Sequence, residues 1–200
     1  MNRLTLLSFA LLSITATSAQ APRTALSTYN TKLSEPQIVQ LLQTCAPNAA
    51  VNTVLAVATT ESAYHPYAIS VNSPATLAKR IGRPNQTVQL ERQPLTLDEA
   101  VSWMRWLLRH GVTVSVGLLQ VNTDNAARFG ITPEQLFDPC TNITVGTQLL
   151  ADAFVSQRQF DPNDQAALLR ALSIYNTGTA QLGFYNGYVA QILKNSRPGR

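Results

Sequence analysis

Two cysteines, Cys45 and Cys140, constrain the fold of this 200-residue chain most, because of where its first residues address it. Arg3 gives a positive start, Leu4 to Ile14 is an apolar run, and Thr15 to Ala19 is small and polar. Residues 1–19 read as a secretory signal peptide cut after Ala19, too short and wrongly flanked for a membrane span. No cysteine lies near that cut, which argues against a lipoprotein anchor. In an oxidising compartment an even cysteine count favours a disulfide over two free thiols. The bridge would close a loop of about 95 residues, worth up to roughly 4–5 kcal/mol in chain entropy. Both cysteines sit in Pro-flanked stretches beside a helix end or start, a poor setting for a nucleophile. They also lack ligand spacing with His65 and His110, so no metal and no cofactor is expected.

The mature chain of about 180 residues is enough for one domain with its own core. Losing Arg3 and no acid takes the formal charge from +4 to +3, with no dense basic run before Lys194 to Arg200. That excess suits an anionic surface weakly and excludes a nucleic-acid partner, since no basic stripe with interleaved aromatics is present. Residues 20–34 read as a small, polar linker, 35–195 as a mainly helical domain with a small β element, and 196–200 as a basic tail. Within the domain, helices are expected from Pro36 to Thr44 and from Asn48, as cap, to Ser62. A prolyl-rich surface excursion follows over 72–95. Thr96-Leu97-Asp98-Glu99 is a capping box opening a helix with Ala100, Trp103, Trp106 and Leu107 inward. Val112 to Val121 fits a short strand or a hairpin around Gly117, and helices follow from Thr141 (as cap), from Asp164 and from Thr179 to Leu193.

Glu61 stands out among the acids. Val51, Val54, Leu55 and Ala58 recur at helical spacing, and Glu61 lies three residues after Ala58 and seven after Val54, on the same face. An unpaired carboxylate there is costly to ionise, and a carboxyl group partly protonated near neutral pH is what a general acid needs. The segment alone also fits a helix-end glutamate that turns to solvent. The remaining acids have ordinary structural readings at helix starts, turns or polar faces, Asp124 among them as a helix cap. No Ser-His-Asp arrangement and no phosphate loop is present, and His65 reads as a surface-loop residue. Two further segments could surround one acid with neutral polar groups. Gly117-Leu118-Leu119-Gln120-Val121-Asn122 presents two amides. Tyr175-Asn176-Thr177-Gly178 ends a helix with a glycine suited to a left-handed turn. Singly, each reads as readily as a strand and a helix cap.

Taken in order, Glu61-Ser62, Gly117 to Asn122 and Tyr175 to Gly178 resemble the motifs of the soluble lytic transglycosylases, a superfamily of lysozyme-like fold that cleaves peptidoglycan. Glu61 to Asn72, Phe137-Asp138-Pro139-Cys140-Thr141-Asn142, Cys45-Ala46-Pro47 and Ser115 to Leu118 resemble its type IV secretion and conjugation branch. Leu119 stands where methionine is more usual, Thr177 where alanine is, and residues 73–110 are the least similar. The resemblance implies a mainly α, α+β lysozyme-like domain without cofactor. It makes Glu61 the catalytic acid/base, Ser62 an orienting or sugar-contacting residue, Gln120 and Asn122 cleft-lining residues, Tyr175 a neighbour of Glu61, and Asn176 a loop support. The implied substrate is the peptidoglycan glycan strand, cut at the MurNAc-GlcNAc β-1,4 bond with a 1,6-anhydromuramoyl product. Implied too are a periplasmic location and secretion-system partners. Two alternatives remain at this point: a lysozyme-like hydrolase using Asp124, and a non-catalytic wall-binding scaffold.

Overall fold

The computed structural model describes residues 31–84, 86 and 90–196. The signal-peptide reading, most of the linker and the end of the basic tail lie outside them. The chain opens with α1 (Glu35–Cys45), where Gln37 reaches back to the Ser34 amide at 2.8 Å, and α2 (Val51–Ser62). Ala50, not Asn48, is the N-cap residue of α2, and no side chain caps the helix. The strand β1 (Ile69–Val71) leads into α3 (Pro74–Arg80). The excursion expected over 72–95 therefore contains a helix. Pro74 opens it in the first turn, and Leu77 and Ala78 are buried.

α4 (Leu97–Arg109) is capped by the Thr96 side chain, which accepts from the Glu99 amide. Glu99 does not return the bond to Thr96; its carboxylate takes the Leu95 amide and the Arg92 guanidinium instead. The inward face of α4 is Ala100, Met104 and Leu107. Trp103 is only half-buried and Trp106 is exposed, which corrects the face expected from spacing. The strands β2 (Val114–Val116) and β3 (Val121–Asn122) form the hairpin expected around Gly117. With β1 they make an antiparallel sheet in the order β1-β2-β3, Ile69 opposite Val116 and Val116 opposite Val121.

Two short 3₁₀ helices, Thr123–Phe129 and Pro133–Phe137, lead to α5 (Pro139–Arg158). Asp138, not Thr141, caps α5: its carboxylate accepts from the Thr141 amide at 2.8 Å. α5 buries Ile143, Gly146, Leu150 and Ala153 and packs chiefly along α6 (Asp164–Thr177), with α1 also against it. The final helix expected over 179–193 is two helices, α7 (Leu182–Tyr185) and α8 (Tyr188–Asn195). Gly187, at φ +83°, breaks them, a conformation nearly closed to other residues. α8 packs on α2. The fold is thus mainly helical with one small sheet, as expected. Cys45 and Cys140 form a disulfide, Cα–Cα 5.4 Å, joining the end of α1 to the start of α5. Among the described residues no helix is long and apolar enough to cross a membrane.

Candidate active site

Glu61 is the penultimate residue of α2, whose buried face is Val54, Ala56, Val57 and Ala58. The helix stops just past it because Ala63 and Tyr64 both take positive φ, 48° and 66°. That reversal points the carboxyl group into the domain beside α8. There the Tyr188 hydroxyl donates to Glu61 Oε1 at 2.6 Å. Among the described residues no cation pairs with Glu61, whereas Glu99, Glu134, Asp152, Asp161 and Asp164 each face an arginine. Burial disfavours the charged form, and the tyrosine bond only partly offsets it, so the Glu61 carboxyl is pushed up from 4.5 to about 7. Tyr188 and Tyr175 are both held neutral, their ionisation raised first by burial and then by the charge of Glu61.

The loop 117–120 is gripped from four directions. The Ser62 hydroxyl, one residue from Glu61, donates to the Leu118 carbonyl at 2.8 Å. Tyr175, from α6, donates to the Leu119 carbonyl at 2.6 Å. Asn142, fully buried on α5, accepts from the Leu119 amide and donates to the carbonyls of Val116 and Leu136. The Gln120 side-chain amide donates to the carbonyls of Ala68 and Gly117, which bridges the loop to β1. Two glycines permit this closeness. At Gly117, φ +80°, a Cβ would lie 2.2 Å from Asn142 Nδ2. At Gly146 a Cβ would lie 2.7 Å from Leu119 Cδ1 and 3.1 Å from the Tyr175 hydroxyl.

The three sequence segments are thus joined by direct bonds. Ser62 and Tyr175 act on the loop at neighbouring carbonyls, and Tyr175 is close enough to feel the charge of Glu61. Gln120 is buried with its nitrogen engaged by backbone and its Oε1 without a partner among the described residues. Asn122 is half-buried and caps the first 3₁₀ helix through the Asp124 amide; Asp124 itself is exposed. Asn176 accepts from Asn186, whose side chain accepts in turn from the Tyr188 amide. Asn176 therefore supports the residue that binds Glu61. His65, expected on the surface, is buried: its Nδ1 accepts from the Tyr67 amide and its Nε2 faces Thr31. Among the described residues no group of three or more His, Cys, Asp and Glu side chains could hold a metal.

Sequence reasoning missed Tyr188 and Asn142 as site residues. Tyr188 opens an amphipathic helix with Val189 and Ile192, where an aromatic reads as core, and it is 127 residues from Glu61. Asn142 carried a signal only as part of the Phe137–Asn142 segment.

The family described as Transglycosylase SLT domain matches residues 41–196. The Type IV secretion system protein virB1 of Brucella abortus is 37% identical over 145 residues, 72% of this chain and 55% of that protein. Protein virB1 of Agrobacterium fabrum is 31% identical over 160 residues, 80% of this chain and 59% of that protein. Protein virB1 of Rhizobium radiobacter is 32% identical over 166 residues, covering 83% and 63%. The chain thus spans little more than half the length of these relatives. No solved structure matches it.

Proposed function

This chain belongs to the transglycosylase SLT family, and on that premise we propose that it is a peptidoglycan lytic transglycosylase working through Glu61. The observation that carries the reading is a part-buried carboxyl group, bonded to a neutral tyrosine and without a cation partner among the described residues, which its surroundings push up to about 7. Such a group is protonated often enough to act as an acid and basic enough to act next as a base. Glu61 gives its proton to the glycosidic oxygen between N-acetylmuramic acid and N-acetylglucosamine as the C1–O bond breaks. Its carboxylate then takes the proton of the muramoyl C6 hydroxyl while O6 bonds to C1, which closes the 1,6-anhydro ring. The internal hydroxyl replaces water, so the reaction needs no second carboxylate of the kind that paired-acid glycosidases use.

In this reading Tyr188 holds the Glu61 carboxyl, and Ser62, Gln120 and Tyr175 fix the loop that faces it. Asn122 lies where β3 meets the first 3₁₀ helix, at the border of the sugar-binding cleft, and Asn176 supports Tyr188. The catalytic domain is residues 35–195, preceded by the signal peptide and linker, and it works in the periplasm. The virB1 relatives favour a role in opening the wall for a type IV secretion apparatus, with subunits of that apparatus as partners. Mass spectrometry of muropeptides released from purified wall by the wild type and by Glu61→Gln tests the proposal. Anhydromuramoyl ends from wild type alone are expected. Reducing ends would replace it with hydrolysis, and unchanged activity in Glu61→Gln would remove Glu61 from the chemistry.

A further inference from the structure

Residues 73–110 hold both tryptophans of the chain. Trp103 and Trp106 stand three residues apart on α4, so they share a face. With Leu90, Glu91, Arg92 and Leu107 they line a cavity of about 510 Å³, within the range of small-ligand sites. Trp106 is 41% exposed. Its ring lies against that of His110, tilted by 36° with 4.0 Å between centroids. Neither indole N–H has a hydrogen-bond partner among the described residues. The walls are set firmly. Arg92 binds both oxygens of Glu99 and lies over the Trp103 ring, 5.0 Å from its centroid, which fixes one side of the cavity.

We propose that this cavity is a second sugar-binding site, which holds an N-acetylhexosamine unit of a glycan strand away from the reacting bond. The choice of a sugar rests partly on the peptidoglycan reading above and partly on the chemistry of the walls. An indole face is electron-rich, and the C–H face of a pyranose lies flat against it, while unpartnered N–H groups and a carboxylate suit the hydroxyl and acetamido edge. Charge selects against an anionic peptide. Arg92 is neutralised by Glu99, and Glu91, which pairs with no cation among the described residues, leaves the wall net negative.

The cavity is also joined to the active site by a continuous path. Gln120, in the loop facing Glu61, binds the Ala68 carbonyl. The next residue, Ile69, exchanges two bonds with the Gln93 side chain, its amide donating at 2.7 Å and its carbonyl accepting at 3.2 Å. Gln93 thus extends the free edge of β1 and carries Arg92 into the cavity wall.

Because the chain has only these two tryptophans, their emission reports on this site directly. The test is a titration of Glu61→Gln, which prevents turnover, with chitotetraose, a soluble tetramer of N-acetylglucosamine, followed by tryptophan emission and by calorimetry. A saturable emission change is expected, with two calorimetric sites of which one disappears in Glu61→Gln/Trp106→Ala. Trp106 is exposed, so its replacement leaves the core untouched. Retention on sedimented wall should fall roughly fivefold in that variant, as the loss of one ring contact implies. Calorimetric binding without any emission change would overturn the second site and leave the catalytic reading standing. Absence of binding by both readouts would overturn it as well. Anhydromuramoyl release by the wild type decides the catalytic reading separately.

Discussion

At the scale of single residues, the proposed chemistry turns on one proton. Tyr188 stabilises the ionised form of Glu61 and so holds its carboxyl below the value that burial alone would impose. Tyr188→Phe therefore raises that value, and the alkaline limb of kcat/KM should move up by about one pH unit. A limb that stays in place would give Tyr188 a packing role only. The same burial has a stability cost of definite sign. Below 4.5 Glu61 is protonated in both the folded and the unfolded chain and costs nothing. Between 4.5 and about 7 the unfolded chain releases its proton first, so wild-type stability falls as pH rises, by up to about 3 kcal/mol in all. Glu61→Gln has no such loss. Urea midpoints should show the variant more stable than wild type at pH 8 and nearly equal at pH 4; equal gaps at both values would contradict this origin. The apolar stripe singled out Glu61 but fitted a glutamate turned to solvent as well, and it was the resemblance of three separate segments that gave it a role. Tyr188 was not singled out, because a tyrosine on an amphipathic helix has too many explanations.

At the scale of elements, the site depends on how closely the 117–120 loop approaches α5 and α6. Gly146 lies where a methyl group would meet Leu119 and the hydroxyl of Tyr175. Gly146→Ala gains helix propensity on α5, yet overpacking should dominate, with a net cost of 1–3 kcal/mol, about what forced core insertions cost. Thermal melting measures that cost. Turnover should fall further than stability explains, since Tyr175 and the loop move together away from Glu61; a more stable, fully active variant would show that Leu119 simply gives way. This contact also marks where the sequence runs out. The helices and the hairpin were readable because amphipathic spacing and a turn glycine are local signals. Asn142, whose three bonds reach Val116, Leu119 and Leu136, had no signal of its own beyond its place in the Phe137–Asn142 segment. α3 was hidden because three prolines between 74 and 94 read as loop, although Pro74 is a first-turn proline. The cap of α5 was placed three residues late because Asp138 before Pro139 reads equally as a turn.

For the whole molecule, the disulfide and the active site are separate assets. Cys45–Cys140 ties α1 to α5 at the mouth of a 95-residue loop that contains Glu61, the sheet and α4. Tyr188 and Tyr175 lie beyond that loop, and α8 reaches back to α2 by packing and by the Tyr188 and Asn195 side chains. Closing the loop restricts the unfolded chain far more than it shapes the folded one. The paired replacement Cys45→Ala/Cys140→Ala should then lose up to about 4–5 kcal/mol of unfolding free energy, with native strain and residual structure in the unfolded chain bringing the measured loss lower. The proposed catalysis draws on a different set of contacts. Among the described residues Glu61, its tyrosine and the gripped loop share no bond with either cysteine, so turnover well below the melting transition should stay within about twofold of wild type, as for independent sites. Urea unfolding and wall-cleavage rates at one low temperature separate the two quantities. A variant that loses activity while still folded would mean that the bridge sets the angle between α1, α2 and α5, and through it the position of Glu61 against Tyr188.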